Sequence, residues 1–83
     1  MKAVTIYTTP WCPYCVRAKR LLQQKNVPYE EVDVSDDDEA RIQLSVRTGQ
    51  RTVPQIFIGD HHVGGSDDLH ALDEAGELDK LLH

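Results

Sequence analysis

The stretch Ala3-Val4-Thr5-Ile6-Tyr7-Thr8-Thr9-Pro10-Trp11-Cys12-Pro13-Tyr14-Cys15 changes its hydrophobic period part-way along. Val4, Ile6 and Thr8 alternate with Ala3, Thr5 and Tyr7, so Ala3 to Tyr7 reads as a strand. From Pro13 to about Asn26 the repeat is helical, with Cys15, Ala18 and Leu22 on one face and Leu21 beside them. The only two cysteines of the chain therefore sit where a strand hands over to a helix.

Further along, Tyr29 to Val34 reads as a second strand, entered through Val27-Pro28. Ser35 precedes the acidic run Asp36-Asp37-Asp38-Glu39 and is expected to cap a helix whose positive end those carboxylates oppose. That helix runs from Glu39 to Thr48 and ends at Gly49, although Ala40, Ile42, Leu44 and Val46 alternate awkwardly for a single helical face. Gln55 to Ile58 is a strand, and Gly59-Asp60 turns it into a short strand at His61 to Gly64. Ser66 to Ala75 is a helix with Leu69 and Leu72 inward, broken by Gly76 before a last helical turn with Leu78, Leu81 and Leu82.

The order is β-α-β-α-β-β-α. The first βαβ unit should be parallel and right-handed, and the last two strands antiparallel neighbours. The expected class is α/β: a mixed four-stranded sheet with helices on both faces, one domain over residues 1–83.

At 83 residues the chain lies at the small end of what folds unaided. No apolar run approaches the ~20 residues that cross a membrane, and the alternating N-terminus is too short for a secretory signal. A cytoplasmic location is the resulting expectation, and there a Cys-x-x-Cys pair is catalytic more often than structural. A two-residue spacer also closes too small a loop to stabilise the fold much. The net charge of -5 argues against nucleic acid as a partner. Seven of the nine Lys and Arg fall between Arg17 and Arg51, while Asp60 to His83 holds seven acids and one Lys. That asymmetry is either scattered solvated charge or a basic rim that draws a small anion toward the thiols.

A thiolate, not a thiol, is the nucleophile, so the anion on Cys12 needs a stabilising partner. With Cys12 at the helix N-cap, Pro13 occupies the first helical position, where its missing N–H costs nothing. The Tyr14 and Cys15 amides then lack intrahelical partners and can point at the Cys12 sulfur, and the helix dipole adds to them. Cys15, one turn in, is more shielded. Cys12 should attack and Cys15 should resolve, with Lys19 and Arg20 too far along the helix to act by contact. Two other readings stay open on these residues alone. A zinc knuckle needs two more ligands, and His61, His62, His70 and His83 show no clean finger spacing. Two inert core cysteines are the other, for which a strand-to-helix junction is a poor burial place.

Ile6-Tyr7-Thr8, Cys12-Pro13-Tyr14-Cys15, Thr52-Val53-Pro54-Gln55-Ile56-Phe57-Ile58 and Gly64-Gly65-Ser66-Asp67-Asp68, with the spacing between them, resemble a glutaredoxin of the small bacterial dithiol class. The resemblance covers essentially the whole chain. It implies a thioredoxin-like fold and a glutathione-dependent thiol–disulfide oxidoreductase, with glutathione as co-substrate and no metal. Thr52-Val53-Pro54 resembles the family's cis-proline segment, in which the Val53 backbone would pair with the cysteinyl unit of glutathione as an added strand does. The plain alternative for Pro54 is a strand-start proline. Gly65 allows close backbone approach, and the Ser66 and Asp67 amides would hold the γ-glutamyl carboxylate, with the Asp67 side chain on its ammonium. Helix capping by Ser66 or Asp67 is compatible with that role. Tyr14 would lie along the ligand.

One departure concerns charge. The family often has a Lys a few residues before the first Cys, but here Thr8-Thr9-Pro10-Trp11 is neutral. Arg51, or Arg47, is the candidate to supply the missing cation. Trp11 would form an apolar lip or cover the end of the sheet. The implied partners are glutathione and disulfide-bonded or glutathionylated proteins, ribonucleotide reductase among the candidates, with no nucleic acid, no membrane and a monomeric state. Two rivals are a dimer carrying a 2Fe–2S cluster on Cys12 and glutathione, and a thioredoxin served by a dedicated reductase. Pro13-Tyr14 and the Gly-Gly-Ser-Asp-Asp block favour the glutathione enzyme.

Overall fold

Strand β1 (Val4–Thr8) buries Val4, Ile6 and Thr8 on one face and leaves Thr5 and Tyr7 half-buried on the other. Its two-residue period therefore serves two different layers. The computed structural model describes residues 1–83 and continues with α1 (Pro13–Gln24), β2 (Glu30–Asp33), α2 (Asp38–Thr48), β3 (Gln55–Ile58), β4 (His61–Gly64), α3 (Ser66–Glu74) and α4 (Leu78–Leu82). The sheet order is β2-β1-β3-β4. β1 is parallel to β2 and antiparallel to β3, and β3 is antiparallel to β4. The expected mixed four-stranded α/β architecture is the one observed.

The core lies on one side of the sheet. Val4, Ile6, Ile56 and Ile58 meet Ala18, Leu21 and Leu22 of α1, Leu69 of α3, and Leu78 and Leu82 of α4. The opposite side is covered by α2. There Tyr7 and Phe57 pack edge to face at 5.8 Å, and the Arg47 guanidinium lies 4.4 Å over the Phe57 ring. Covered on both faces, β3 is buried at all four residues, Gln55 included.

Several element ends shift by one residue from the sequence reading, and three helix ends depart for identifiable reasons. Ser35 does not cap α2. Its own N–H is taken by the Asp33 carboxylate at 2.8 Å, and the chain enters the helix two residues later, where Asp37 accepts the Ala40 amide at 3.0 Å. α1 ends at Gln24, short of Asn26, because Asn26 adopts a left-handed backbone with φ 57°. At α3 the N-cap is Gly65, so neither Ser66 nor Asp67 caps the helix. The Asp68 carboxylate performs that task by accepting the Gly65 amide at 3.0 Å.

The awkward alternation in α2 has a simple resolution. Leu44 is buried, whereas Ile42 and Val46 are 62% and 80% exposed. Residues two apart on a helix fall on nearly opposite sides, so the run supplies two stripes instead of one.

Candidate active site

The strand-to-helix junction sets Cys12 at the N-cap of α1 with an extended backbone, and Pro13 occupies the first helical position. The cap side chain is a sulfur. Cys12 Sγ accepts the Cys15 amide at 3.1 Å, while the Cys12 thiol donates to Val53 O at 3.7 Å. The Tyr14 amide, also expected to face the sulfur, makes no such bond. A short cap side chain reaches the third helical amide here and not the second. The Cys15 amide is placed to hold a thiolate at the position where the helix dipole favours negative charge.

The two sulfurs have unlike surroundings. Both cysteines are free; Cys12 is half-buried and Cys15 is 1% exposed. Burial, reinforced by the hydrogen bond with Cys12, pushes the Cys15 thiol up to about 12 from an ordinary 9.0. Lys19 makes no hydrogen bond to either sulfur, although its charge works against the rise of the Cys15 thiol. Its ammonium is held by Glu31 at 3.1 Å, and the same carboxylate accepts the Thr8 hydroxyl at 2.7 Å. The Thr8 hydroxyl and then Lys19 hold the Glu31 carboxyl below its usual range.

Beside the sulfur opens a cleft of about 520 Å³ formed by Tyr14 of α1, loop 50–54 and residues 65–68 at the start of α3. All eight residues expected to bind the tripeptide (Tyr14, Arg51, Thr52, Val53, Pro54, Gly65, Ser66 and Asp67) line this one cleft. Cys12 adjoins it through Val53. The Val53–Pro54 peptide bond is cis. Gly65 approaches the Pro54 carbonyl closely enough that an added Cβ would stand 3.6 Å from it. Arg47 is not part of the cleft, since its guanidinium stacks on Phe57 across the sheet. Arg51 alone of the two candidate cations faces the cleft, and it enters no ion pair. Trp11 is 96% exposed and so does not cover the sheet end.

Sequence reasoning missed two supporting residues. The Gln55 side-chain amide donates to Gln50 O at 2.9 Å and to Thr52 O at 3.0 Å, tying down the loop that carries Arg51. A lone polar residue in the apolar run Gln55-Ile56-Phe57-Ile58 was its available signal. Asp68, which fixes the start of α3, stands at the third helical position of a capping box and was legible there. The open zinc reading finds no ligand set, because no three His, Cys, Asp or Glu side chains group to hold a metal ion.

A family model described as Glutaredoxin matches residues 4–63. The chain belongs to the glutaredoxin family. A glutaredoxin of Pseudomonas aeruginosa is 57% identical over 82 residues, covering 99% of this chain and 98% of that protein. The solution structure of a glutaredoxin from Brucella melitensis matches with a TM-score of 0.88 and 54% identity, covering 99% of this chain and 89% of that one. The crystal structure of a buckwheat glutaredoxin–glutathione complex matches with a TM-score of 0.92 and 34% identity, over 98% and 76% of the two chains. The expected thioredoxin-like fold is thus the observed one. Glutaredoxins are glutathione-dependent thiol–disulfide oxidoreductases, and this glutaredoxin, with its Cys12/Cys15 pair, is an enzyme of that kind with glutathione as co-substrate.

Proposed function

We propose that Cys12 is the nucleophile, Cys15 the resolving thiol, and the adjoining cleft the glutathione site. The observation that carries this reading is the Cys15 amide donating to Cys12 Sγ at 3.1 Å, at the end of a cleft that Val53 shares. The Cys12 thiolate attacks the glutathione sulfur of a mixed disulfide, and the substrate thiolate leaves and takes up a proton. A second glutathione, as its thiolate, attacks the Cys12–glutathione disulfide. Glutathione disulfide departs and the Cys12 thiolate returns.

For a protein disulfide, the Cys12 thiolate attacks one substrate sulfur, and the other leaves as a thiolate and takes up a proton. Cys15 then gives up its proton and displaces the substrate sulfur bound to Cys12, leaving a Cys12–Cys15 disulfide that two glutathiones reduce. The buried, raised Cys15 thiol has to lose its proton before it can act. Forming the mixed disulfide also discharges Cys12, which removes one of the causes that keep Cys15 protonated.

In the cleft, the Val53 backbone pairs with the cysteinyl unit as an edge strand pairs with a peptide. Arg51 receives the glycyl carboxylate, Tyr14 lies along the ligand, and Thr52 and Pro54 shape the wall. The Ser66 and Asp67 amides at the start of α3 receive the γ-glutamyl carboxylate beside Gly65, and the Asp67 carboxylate meets the ammonium. One domain over residues 1–83, working as a monomer, is sufficient, because every residue in this scheme comes from one chain. Disulfide-bonded and glutathionylated proteins are the substrates, ribonucleotide reductase a candidate among them. The reducing cytoplasm is the compartment that suits a resting dithiol. No helix is long and apolar enough to cross a membrane.

The division of labour is tested with Cys12→Ser and Cys15→Ser, assayed on a glutathionylated peptide and on a protein disulfide. Cys12→Ser should lose both activities. Cys15→Ser should keep deglutathionylation and lose dithiol reduction, and equal loss in both variants would reject the scheme.

A further inference from the structure

Helix α2 carries an apolar stripe that the core does not use. Leu44 faces the sheet, but Ile42 and Val46, one turn apart, are 62% and 80% exposed. With Arg41, Ser45 and Arg51 they line a groove of about 410 Å³ on the outer side of the helix. The Ser45 hydroxyl turns down to donate to Ile42 O at 2.9 Å, which leaves the aliphatic pair uninterrupted. The two cations of the groove, Arg41 and Arg51, are unpaired. Every ion pair in the fold is made by a lysine (Lys19, Lys25 or Lys80), and Arg41 and Arg51 have none, although the chain holds 14 acids.

Arg51 lines this groove and the glutathione cleft alike, so the two form one continuous surface. We infer that the α2 groove docks the polypeptide of a disulfide-bonded protein substrate, as an extended acidic and apolar segment running on from the cleft. The inference rests on the cleft being the reacting site. A chain that pairs with the Val53 backbone continues past Thr52 to Arg51 and then onto Ile42 and Val46. Aliphatic substrate side chains cover the stripe, and substrate carboxylates meet guanidinium groups, which are weakly hydrated and suited to interface pairing. A small disulfide fills only the cleft and gains nothing from the groove. The groove is thereby a device for telling protein disulfides from small ones.

The test uses two synthetic peptides with the same internal disulfide, one flanked on both sides by alternating Leu and Glu, the other by alternating Ser and Lys. Reduction of each is followed with glutathione and its reductase, beside reduction of hydroxyethyl disulfide. The wild-type chain should favour the Leu/Glu peptide in KM by about tenfold, the scale of one well-buried aliphatic contact. The double substitution Ile42→Ser/Val46→Ser should remove that preference, and Arg41→Glu should shift it toward the lysine peptide. Both variants should reduce hydroxyethyl disulfide within twofold of wild type. Equal KM values for the two peptides in the wild-type chain would overturn the inference. So would sedimentation showing a wild-type dimer that the double substitution dissociates, since the stripe would then belong to a second copy. Hydroxyethyl disulfide reduction and glutathione KM both unchanged in Thr52 and Val53 variants would reject the cleft assignment instead.

Discussion

Cys15 serves Cys12 with its backbone while its own thiol stays out of reach: the amide donates to Cys12 Sγ at 3.1 Å, yet the side chain is 1% exposed. One residue thus supports the Cys12 sulfur with its amide and keeps its own thiol buried. The same burial that shields it raises its thiol to about 12, so the neutral form is the one the fold holds.

That shift makes stability depend on pH in a stated direction. The folded-state value lies above the ordinary 9.0, so the contribution is fully present below pH 9 and fades as pH rises toward 12. Reduced wild-type protein should therefore lose unfolding free energy steadily between those values. Urea unfolding at several pH values, compared with Cys15→Ala, reads it directly. The variant should start less stable at neutral pH and show a shallower alkaline decline; parallel declines would assign the loss to other groups.

Gln55 should behave as a positioning residue for the cleft. Both atoms it donates to, Gln50 O and Thr52 O, are carbonyls, so only an amide or another donor fits. Gln55→Leu leaves the two carbonyls without that donor, and about 1–3 kcal/mol of stability should go with each one that water cannot reach. The loop bearing Arg51 loosens, so KM for glutathione should rise severalfold with kcat nearly unchanged. Gln55→Glu should be worse than Gln55→Leu, because a carboxylate would face two acceptors. Steady-state kinetics beside urea unfolding separates the two effects, and a kcat loss at constant KM would contradict this role.

Much of this fold was legible from periodicity, and the exceptions have local causes. Cys12 at the N-cap and Gly49 at the left-handed end of α2 follow from backbone rules that any one residue reveals. Ser35 misled because three consecutive aspartates offer competing caps, and the turn at Asp33 decides among them. Arg47 and Arg51 look equivalent in sequence, flanking the helix end. Only the helix rotation sends Arg47 to Phe57 and leaves Arg51 at the cleft. Gln55 was hidden because its partners are backbone carbonyls of an irregular loop, which no side-chain pattern encodes.

Gly64 is a position where no side chain fits. Its φ is 117°, and an added Cβ would run into the Asp68 carboxylate that caps α3. Gly64→Ala should combine backbone strain of about 1–3 kcal/mol with loss of a cap worth about 1 kcal/mol. For a domain of this size each kcal/mol shifts the melting temperature by roughly 4–8 °C. Asp68→Ala should remove the cap term alone and melt at an intermediate temperature. Gly49→Ala, at φ 76° with open space around it, should show the strain without the clash. Thermal melts of the three variants rank these terms, and Gly64→Ala melting no lower than Gly49→Ala would refute the clash.

The two arginines should separate stability from binding. Arg47 lies 4.4 Å over the Phe57 ring, so Arg47→Ala should cost about 0.5–1 kcal/mol of stability. Its glutathione KM should stay at the wild-type value, because Arg47 does not line the cleft. Arg51→Ala should do the reverse. It touches no carboxylate and is exposed, so stability should change by less than about 0.5 kcal/mol. Its glutathione KM should rise several-fold, and the remaining affinity should depend less on ionic strength, since a screened cation–carboxylate contact has been removed. Measuring KM at low and high salt for wild type and both variants distinguishes the roles. A wild-type salt dependence that persists in Arg51→Ala and disappears in Arg47→Ala would exchange them and return the cleft's positive charge to the helix end.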